Sequence, residues 1–358
     1  MRKIVLSAVA LVSALSLVIL SGTTCDWFEE QPETNLPPET TLVRGCDEGG
    51  GFVAGENITF VWTGTDVDGV VAFFQWSLDK SGWVETTADS TVIEDIALGA
   101  HTFSVRAADD KGEADPDPAE CTFVVGELVP RMALVEFLTT NTCRNCPTAD
   151  AALESLQVDL GRSALAVVAY HDLTASDKLA TDETVARIDY YTGFADIPGD
   201  QWPIAIFDGL RTVEGSTGVD ESKTEYGFEI AQRRAIGSRV SMDVSGTLTA
   251  AGGDISVTAK VKAELPSGTL VLHTVVIEND VLYHGYYADI FGFVARDILD
   301  DEPLSTGPQV LAAIGDSVEV QRTFPVAAGW NLDNVDVIAF IQNMDTREVL
   351  QAARLKTE

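Results

Sequence analysis

Basic residues are scarce in this chain. Lys and Arg number 23 against 56 Asp and Glu, a formal net charge of −33 over 358 residues. Phosphates and anionic lipid are repelled by such a field, which excludes nucleic acid as a partner and charge-driven docking on membranes. The acidity reads as a solubility device rather than a code for one cationic ligand. Long apolar runs are missing as well, except for one at the amino end, so no later segment approaches the length of a spanning helix. No series of strands carries an apolar lipid-facing band either. Cysteine is sparse and odd in number, at five. What is present is globular material, 46% hydrophobic and 8% aromatic, and its length predicts two or three domains.

The apolar run at the amino end is a targeting segment. Arg2 and Lys3 precede it, it spans residues 4–20, and small residues follow before Cys25, as in a secretory signal over residues 1–24. Leu20-Ser21-Gly22-Thr23-Thr24-Cys25 resembles a bacterial lipoprotein cleavage box, which implies a lipid on Cys25. Thr24 stands where that box usually carries Gly or Ala; an ordinary signal peptide or an uncleaved anchor is the alternative. Residues 25–40 are acidic, contain Pro32, Pro37 and Pro38, and form a tether. The expected location is the cell envelope, at the outer membrane, with the membrane reached through the lipid alone.

Residues 41–126 alternate with the period of strands. Ile58, Phe60 and Trp62 share one side of a strand; Phe74, Trp76 and Leu78, then Phe103 and Val105, then Cys121, Phe123 and Val125 repeat the pattern. Turns rich in Gly and Asp separate these runs at the spacing of a sandwich. Asp66-Val67-Asp68-Gly69, Trp76-Ser77-Leu78-Asp79 and the stretch from Arg106 to Gly112 resemble the immunoglobulin or fibronectin-type modules of bacterial envelope proteins. Asp66 and Asp68 are weak calcium candidates, since hard carboxylates at alternate positions suit that ion; the plain reading of DxDG is a turn. Cys46 and Cys121 flank the module. An oxidising compartment allows a bond that pins its first strand to its last, and two separate buried thiols are the alternative.

After a short linker containing Pro130, residues 131–236 alternate strand with helix. Strands are expected at 132–138, 164–170, 203–207 and 211–214, and helices at 148–160, 181–191 and 221–235. Cys143-Arg144-Asn145-Cys146-Pro147 lies at the first strand–helix junction. A helix start offers unpaired N–H groups and the positive end of the macrodipole, which favour a thiolate, so Cys143 is the expected nucleophile. Cys146 is expected one turn inside the helix, covered, to resolve a mixed disulfide. The order of elements, the CxxC and Trp202-Pro203-Ile204 resemble the thioredoxin fold. That resemblance implies that Pro203 is cis, faces the cysteines and offers a backbone edge to an extended client. It also makes Glu136 a candidate proton shuttle for the buried cysteine, against the plain reading of a strand glutamate facing solvent. His171 ends the second strand at the same sheet edge and is a further candidate for proton transfer; a loop histidine without a role is its alternative. Thr142 stands where thioredoxins carry Trp, and Arg144-Asn145 where they carry Gly-Pro.

Residues 237–358 return to strand periodicity, with a hairpin around Gly252-Gly253 and later strands at 270–277, 318–324, 335–342 and 349–355. A long insertion over 279–308 carries Tyr283, His284, Tyr286, Tyr287, Phe291 and Phe293, either as a binding surface or folded over the sandwich edge. The expected fold class is therefore multidomain: an N-terminal all-β Ig-like sandwich, a central α/β thioredoxin-like domain and a C-terminal all-β sandwich. Glu136-Phe137 leading to the CxxCP, Val337-Ile338-Ala339-Phe340-Ile341-Gln342 and Glu348-Val349-Leu350-Gln351-Ala352-Ala353 resemble the Omp-twenty-eight-related family of outer-membrane proteins. The resemblance implies location more than activity. Two functions follow as expectations: thiol–disulfide exchange on the thiols and disulfides of client proteins, or a non-enzymatic adhesin or ligand binder whose CxxC is a structural disulfide. No cofactor and no resident metal are expected.

Overall fold

The computed structural model describes residues 34–46, 51–173, 177–197 and 201–355. The signal, the cleavage box, Cys25 and most of the tether lie outside the described residues. Among those residues no helix is long and apolar enough to cross a membrane.

Eight strands build the first layer pair: β1 (Glu39–Arg44), β2 (Gly51–Val53), β3 (Ile58–Thr65), β4 (Val71–Leu78), β5 (Val84–Thr86), β6 (Ser90–Ile93), β7 (Gly99–Asp109) and β8 (Ala119–Gly126). They form a three-stranded sheet, β1-β3-β6, and a five-stranded one, β2-β8-β7-β4-β5. Alternation along β3, β7 and β8 turns Phe60, Trp62, Phe103, Val105 and Phe123 inward, and these form the core. Phe60 stacks on Phe103 with ring centroids 3.9 Å apart. Cys46, just past β1, is bonded to Cys121 on β8, with Cα atoms 6.0 Å apart. At the end of β8 the chain presses against the rest of the molecule. A Cβ on Gly126 would lie 2.2 Å from the Lys262 carbonyl oxygen, so only glycine fits that approach.

The alternating segment contains β9 (Ala133–Thr139), α1 (Cys146–Leu160), β10 (Leu165–His171), α2 (Asp182–Thr192), β11 (Ile204–Phe207), β12 (Arg211–Glu214) and α3 (Val219–Ala235). The remainder supplies β13 (Val240–Thr249), β14 (Gly252–Val261), β15 (Leu270–Glu278), β16 (Val281–Leu282), β17 (Ile290–Phe291), β18 (Val294–Pro303), β19 (Ser317–Phe324), β20 (Val335–Asn343) and β21 (Val349–Arg354). Strands β9 and β10 run parallel, and β11 joins the other side of β9 antiparallel.

This sheet does not stop at the boundary expected at 236/237. It continues as β12-β11-β9-β10-β18-β15-β20-β21, eight strands in one hydrogen-bonded array. The joining strand, β18, lies inside the stretch that reads as an insertion. Its carboxyl-terminal half, Asp297-Ile298-Leu299-Asp300-Asp301-Glu302, is too acidic to show strand alternation, yet it pairs with β15, and its first residue meets β10 at Ala169. The strands β15 and β20 are therefore covered twice. One face carries Val276, Val337, Ala339 and Ile341 against the β13-β14-β19 sheet. The other carries Val275, Ile277, Ile338 and Phe340 into the core shared with β9 and β10. Double cover explains why every residue of β20 is buried.

Candidate functional site

Strand alternation decides what reaches the cysteine loop. Along β9, Phe137 and Thr139 point to the face where α1 lies, and Glu136 and Leu138 point to the other. Past Thr139 the chain turns through Asn141 into Cys143, and α1 begins at Cys146 with Pro147 in its first turn. Proline suits that place because its missing N–H is one the helix could not use. Cys146 is thus the first residue of the helix rather than one turn inside it. Cys143 and Cys146 are joined by a disulfide with Cα atoms 5.4 Å apart, and the Cys146 N–H donates to Cys143 Sγ at 3.0 Å. Cys143 is half-buried and Cys146 is buried.

Glu136 is not directed at the pair. It is fully buried on the opposite face of β9, where Arg187 Nε donates to its Oε1 at 2.7 Å and the Tyr191 hydroxyl donates to its Oε2. Arg187 also donates to Gln342 Oε1 at 2.8 Å. Burial would lower the Arg187 pKa, but Glu136 beside it more than offsets that and keeps the guanidinium charged. Both sequence readings of Glu136, solvent-facing residue and proton shuttle to Cys146, give way to a buried ion pair with α2.

His171 ends β10 opposite Thr139 and is buried. Its Nδ1 shares a hydrogen bond of 2.8 Å with Asp177 Oδ2. Asp177 also accepts the N–H of Asn141 at 2.7 Å and of Leu179 at 2.9 Å. Burial raises the Asp177 pKa, but the bonds from His171 and these backbone groups outweigh it and hold the carboxylate below its ordinary value. The pair His171–Asp177 therefore clamps the cysteine loop to the end of β10. Pro203 follows a cis Trp202–Pro203 bond. Because Ile204 pairs with Leu138, Pro203 sits at the sheet edge where β9 ends and the cysteine loop begins. It does not line the cavity beside the pair, and its carbonyl accepts the Gly215 N–H at 2.7 Å.

That cavity is narrow, about 10 Å³, and is lined by Phe137, Asn141, both cysteines, His171 and Asp150 with Tyr287 and Phe291 closing it. The aromatic stretch after β15 thus folds over the cysteine loop, not over the sandwich edge. It is anchored there by the Tyr286 N–H on the Asn141 carbonyl at 3.2 Å. Tyr286 and Tyr287 remain largely exposed beside the pair. Asp150 escaped the sequence reading. It lies one turn beyond Cys146 on α1, accepts the Gly292 N–H on Oδ2 at 3.0 Å, and its Oδ1 is buried without a hydrogen-bond partner. Burial pushes its pKa up to about 7; Glu154 and Asp280 add to the rise, and the Gly292 bond opposes it. The readable signal was the i, i+4 spacing from Cys146.

The remaining candidates lie elsewhere. Asp66 Oδ1 accepts the Asp68 N–H at 3.2 Å, a turn contact, while Asp68 takes the Leu36 N–H and the Lys111 ammonium, the latter at 3.4 Å. Among the described residues no group of three metal-binding side chains occurs. Cys46–Cys121 is remote from the CxxC loop in sequence and belongs to the N-terminal sandwich.

No profile of a known protein family matches the chain, and no curated protein matches its sequence. Among solved structures, HBP35 of Porphyromonas gingivalis is similar over 63% of this chain and 75% of its own, with a TM-score of 0.51 at 17% identity. At that identity the likeness bears on the fold alone. A domain of the outer membrane lipoprotein Omp28 from Porphyromonas gingivalis covers 34% of this chain and 89% of its own, with a TM-score of 0.23 at 11% identity. Fibronectin(III)-like modules of Clostridium thermocellum CbhA cover 25% and 98%, with a TM-score of 0.22 at 21% identity.

Proposed function

We propose that this chain is a cell-envelope protein that exchanges disulfides with exported client proteins through Cys143 and Cys146, in a thioredoxin-like unit. One observation carries the reading: Cys143, half-buried just ahead of α1, accepts the N–H of Cys146 on its sulfur. A donor aimed at that sulfur, together with a helix start, stabilises a thiolate there. Pro203 at the same sheet edge supports a place for an extended client beside the pair. The signal-like residues 1–24 and the Cys46–Cys121 bond support export to an oxidising compartment, with Cys25 as the lipid anchor at the outer membrane.

In the exchange, a client thiolate attacks Cys143 Sγ and Cys146 leaves as a thiolate; a second client thiolate then releases Cys143. The client dithiol loses two electrons and the protein disulfide gains them. Run backwards, Cys143 attacks a client disulfide and Cys146 resolves the mixed disulfide. A second reading, a ligand-binding surface protein with a structural CxxC disulfide, is favoured by Tyr287 and Phe291 lying over the pair. Titration of the full chain in glutathione buffers separates the two. Exchange predicts a potential within the range of known oxidoreductases, roughly −270 to −120 mV, and a mixed disulfide trapped on Cys143 in Cys146→Ser. A potential below about −300 mV with no trapped species overturns it.

A further inference from the structure

We infer that Asp150 is the group that takes up and returns the proton of the Cys146 thiol during exchange. This rests on the exchange reading above and names the acid–base residue of the same site. The resemblance to thioredoxins points to Glu136, but that carboxylate faces α2 and is locked to Arg187 and Tyr191. On the cysteine face the carboxyl that lines the cavity together with Cys146 is Asp150.

Four observations converge on it. Cys146 and Asp150 are i and i+4 on α1, which puts their Cβ atoms about 6 Å apart on one helix face. Both line a cavity of about 10 Å³, close to the roughly 10–15 Å³ that one water requires. Asp150 Oδ1 and Asn141 Oδ1, from two residues of that lining, are buried acceptors without a partner. A water accepting from the Cys146 thiol and donating to Asp150 Oδ1 would join the carboxyl to the sulfur, with Asn141 Oδ1 able to take its second hydrogen. Finally, Asp150 Oδ2 is fixed by the Gly292 N–H, so the other oxygen is the one free to exchange a proton.

The groups that face Asp150 set the pH at which it works. Glu154 is one turn further along α1, Asp280 comes from the segment between β15 and β16, and His171 with Asp177 behind it lies across the cavity on the β10 side. The two acids and burial raise its affinity for a proton, and the Gly292 amide lowers it, leaving a value of about 7. A carboxyl so poised holds and releases protons near neutral pH. When Cys146 leaves as a thiolate, Asp150 gives it a proton. When Cys146 must attack, the carboxylate removes that proton, and the departing client thiolate takes one from solvent.

The test uses the reduced full chain with oxidised glutathione as the probe, following mixed-disulfide formation and its resolution separately across pH 5 to 9. Asp150→Asn keeps the shape and the Gly292 bond. Its Cys143 alkylation rate with iodoacetamide is expected within about twofold of wild type at pH 7. Resolution by Cys146 is expected to slow at least tenfold at pH 7, in the 10²–10⁴ range of general acid–base effects or just below it. The inflection near pH 7 disappears, and Asp150→Glu restores part of the rate. Unchanged resolution and an unchanged pH profile in Asp150→Asn overturn the role of Asp150 while leaving exchange intact. A wild-type chain that forms no mixed disulfide overturns the exchange reading, and Asp150 with it. Should Asp150→Asn fail to fold, the reduced-minus-oxidised infrared spectrum of the unaltered chain decides. A buried carboxylic acid band that changes with redox state near pH 7 supports the role, and a silent carboxyl region overturns it.

Discussion

At the scale of residues, two carboxyls, Glu136 buried and Asp150 half-buried, divide the available roles by their partners. Glu136 has a guanidinium at 2.7 Å and is closed in a buried ion pair. Asp150 has two acids near it and one backbone amide, and its proton affinity rises to about 7. The sign of the stability effect follows from that rise. Above its ordinary value of 3.8 the folded chain holds a proton that the unfolded chain has lost. The contribution is thus complete below about pH 4, falls as pH climbs toward 7, and is gone above it. Asp150→Asn is therefore expected to match wild type in thermal unfolding near pH 4 and to melt several degrees higher at pH 8. Calorimetry at the two pH values checks this; an equal shift at both would contradict it. The spacing Cys146 to Asp150 was visible in the chain as written, but its burial was not. What caps the Asp150 carboxyl is the N–H of Gly292, from a segment 142 residues away.

At the scale of elements, the decisive piece is the stretch from β16 through β18. The aromatic residues within it announced a surface, and the position of that surface over the CxxC came only with the fold. Strand β9 and the beginning of α1 were readable because an apolar run, two cysteines and Pro147 each carry a local signal. Strand β18 was not, because half of it is acidic and its pairing, not its side chains, makes it a strand. The same locality explains Glu136: sequence gives the alternation of β9 but not which face α2 will take. Gly292 is where this element meets the site. A Cβ there would stand 3.0 Å from Glu154 Oε1 and 3.1 Å from Asp150 Oδ1, the flexible ends of two side chains. Gly292→Ala is expected to keep stability within about 1 kcal/mol. It should nonetheless displace the Asp150 carboxyl and move the inflection of the resolving step by half a pH unit or more. Kinetics across pH, beside a melting curve, would expose the reverse pattern.

At the scale of the molecule, the alternating strand–helix stretch and the carboxyl-terminal strands share one sheet and one core. Buried charges tie them as well: Arg131 donates to Asp208 at 2.9 Å and to the Val349 carbonyl at 2.8 Å, and Arg233 bridges Asp208 and Glu348. Cutting at the boundary legible in the sequence would strip β18 from β10 and leave Arg187 without Gln342. A fragment of residues 131–236 is therefore expected to lack a cooperative transition in circular dichroism. A fragment beginning at residue 127 and running to the end is expected to melt in a single step. Two independent transitions in the longer fragment would refute the shared core. The N-terminal sandwich has its own core and its own disulfide, and its sequence signals are all local alternation and turns.

The bond from Arg187 to Gln342 spans 155 positions of the chain, and a ribosome delivers those positions in order. Cys143 and Cys146 emerge with β9 and α1, while the strands that finish their surroundings are still unmade. Until residue 342 arrives, the α2 guanidinium has Glu136 and Tyr191 but not Gln342, and until residues 287–292 arrive Tyr287, Phe291 and Gly292 are missing from the cavity beside the cysteine pair. A nascent chain therefore carries its two sulfurs without that cover for roughly 145 residues of synthesis, from Cys146 to the stretch 287–292. It receives its cysteine pair first and the aromatic cover for that pair well after.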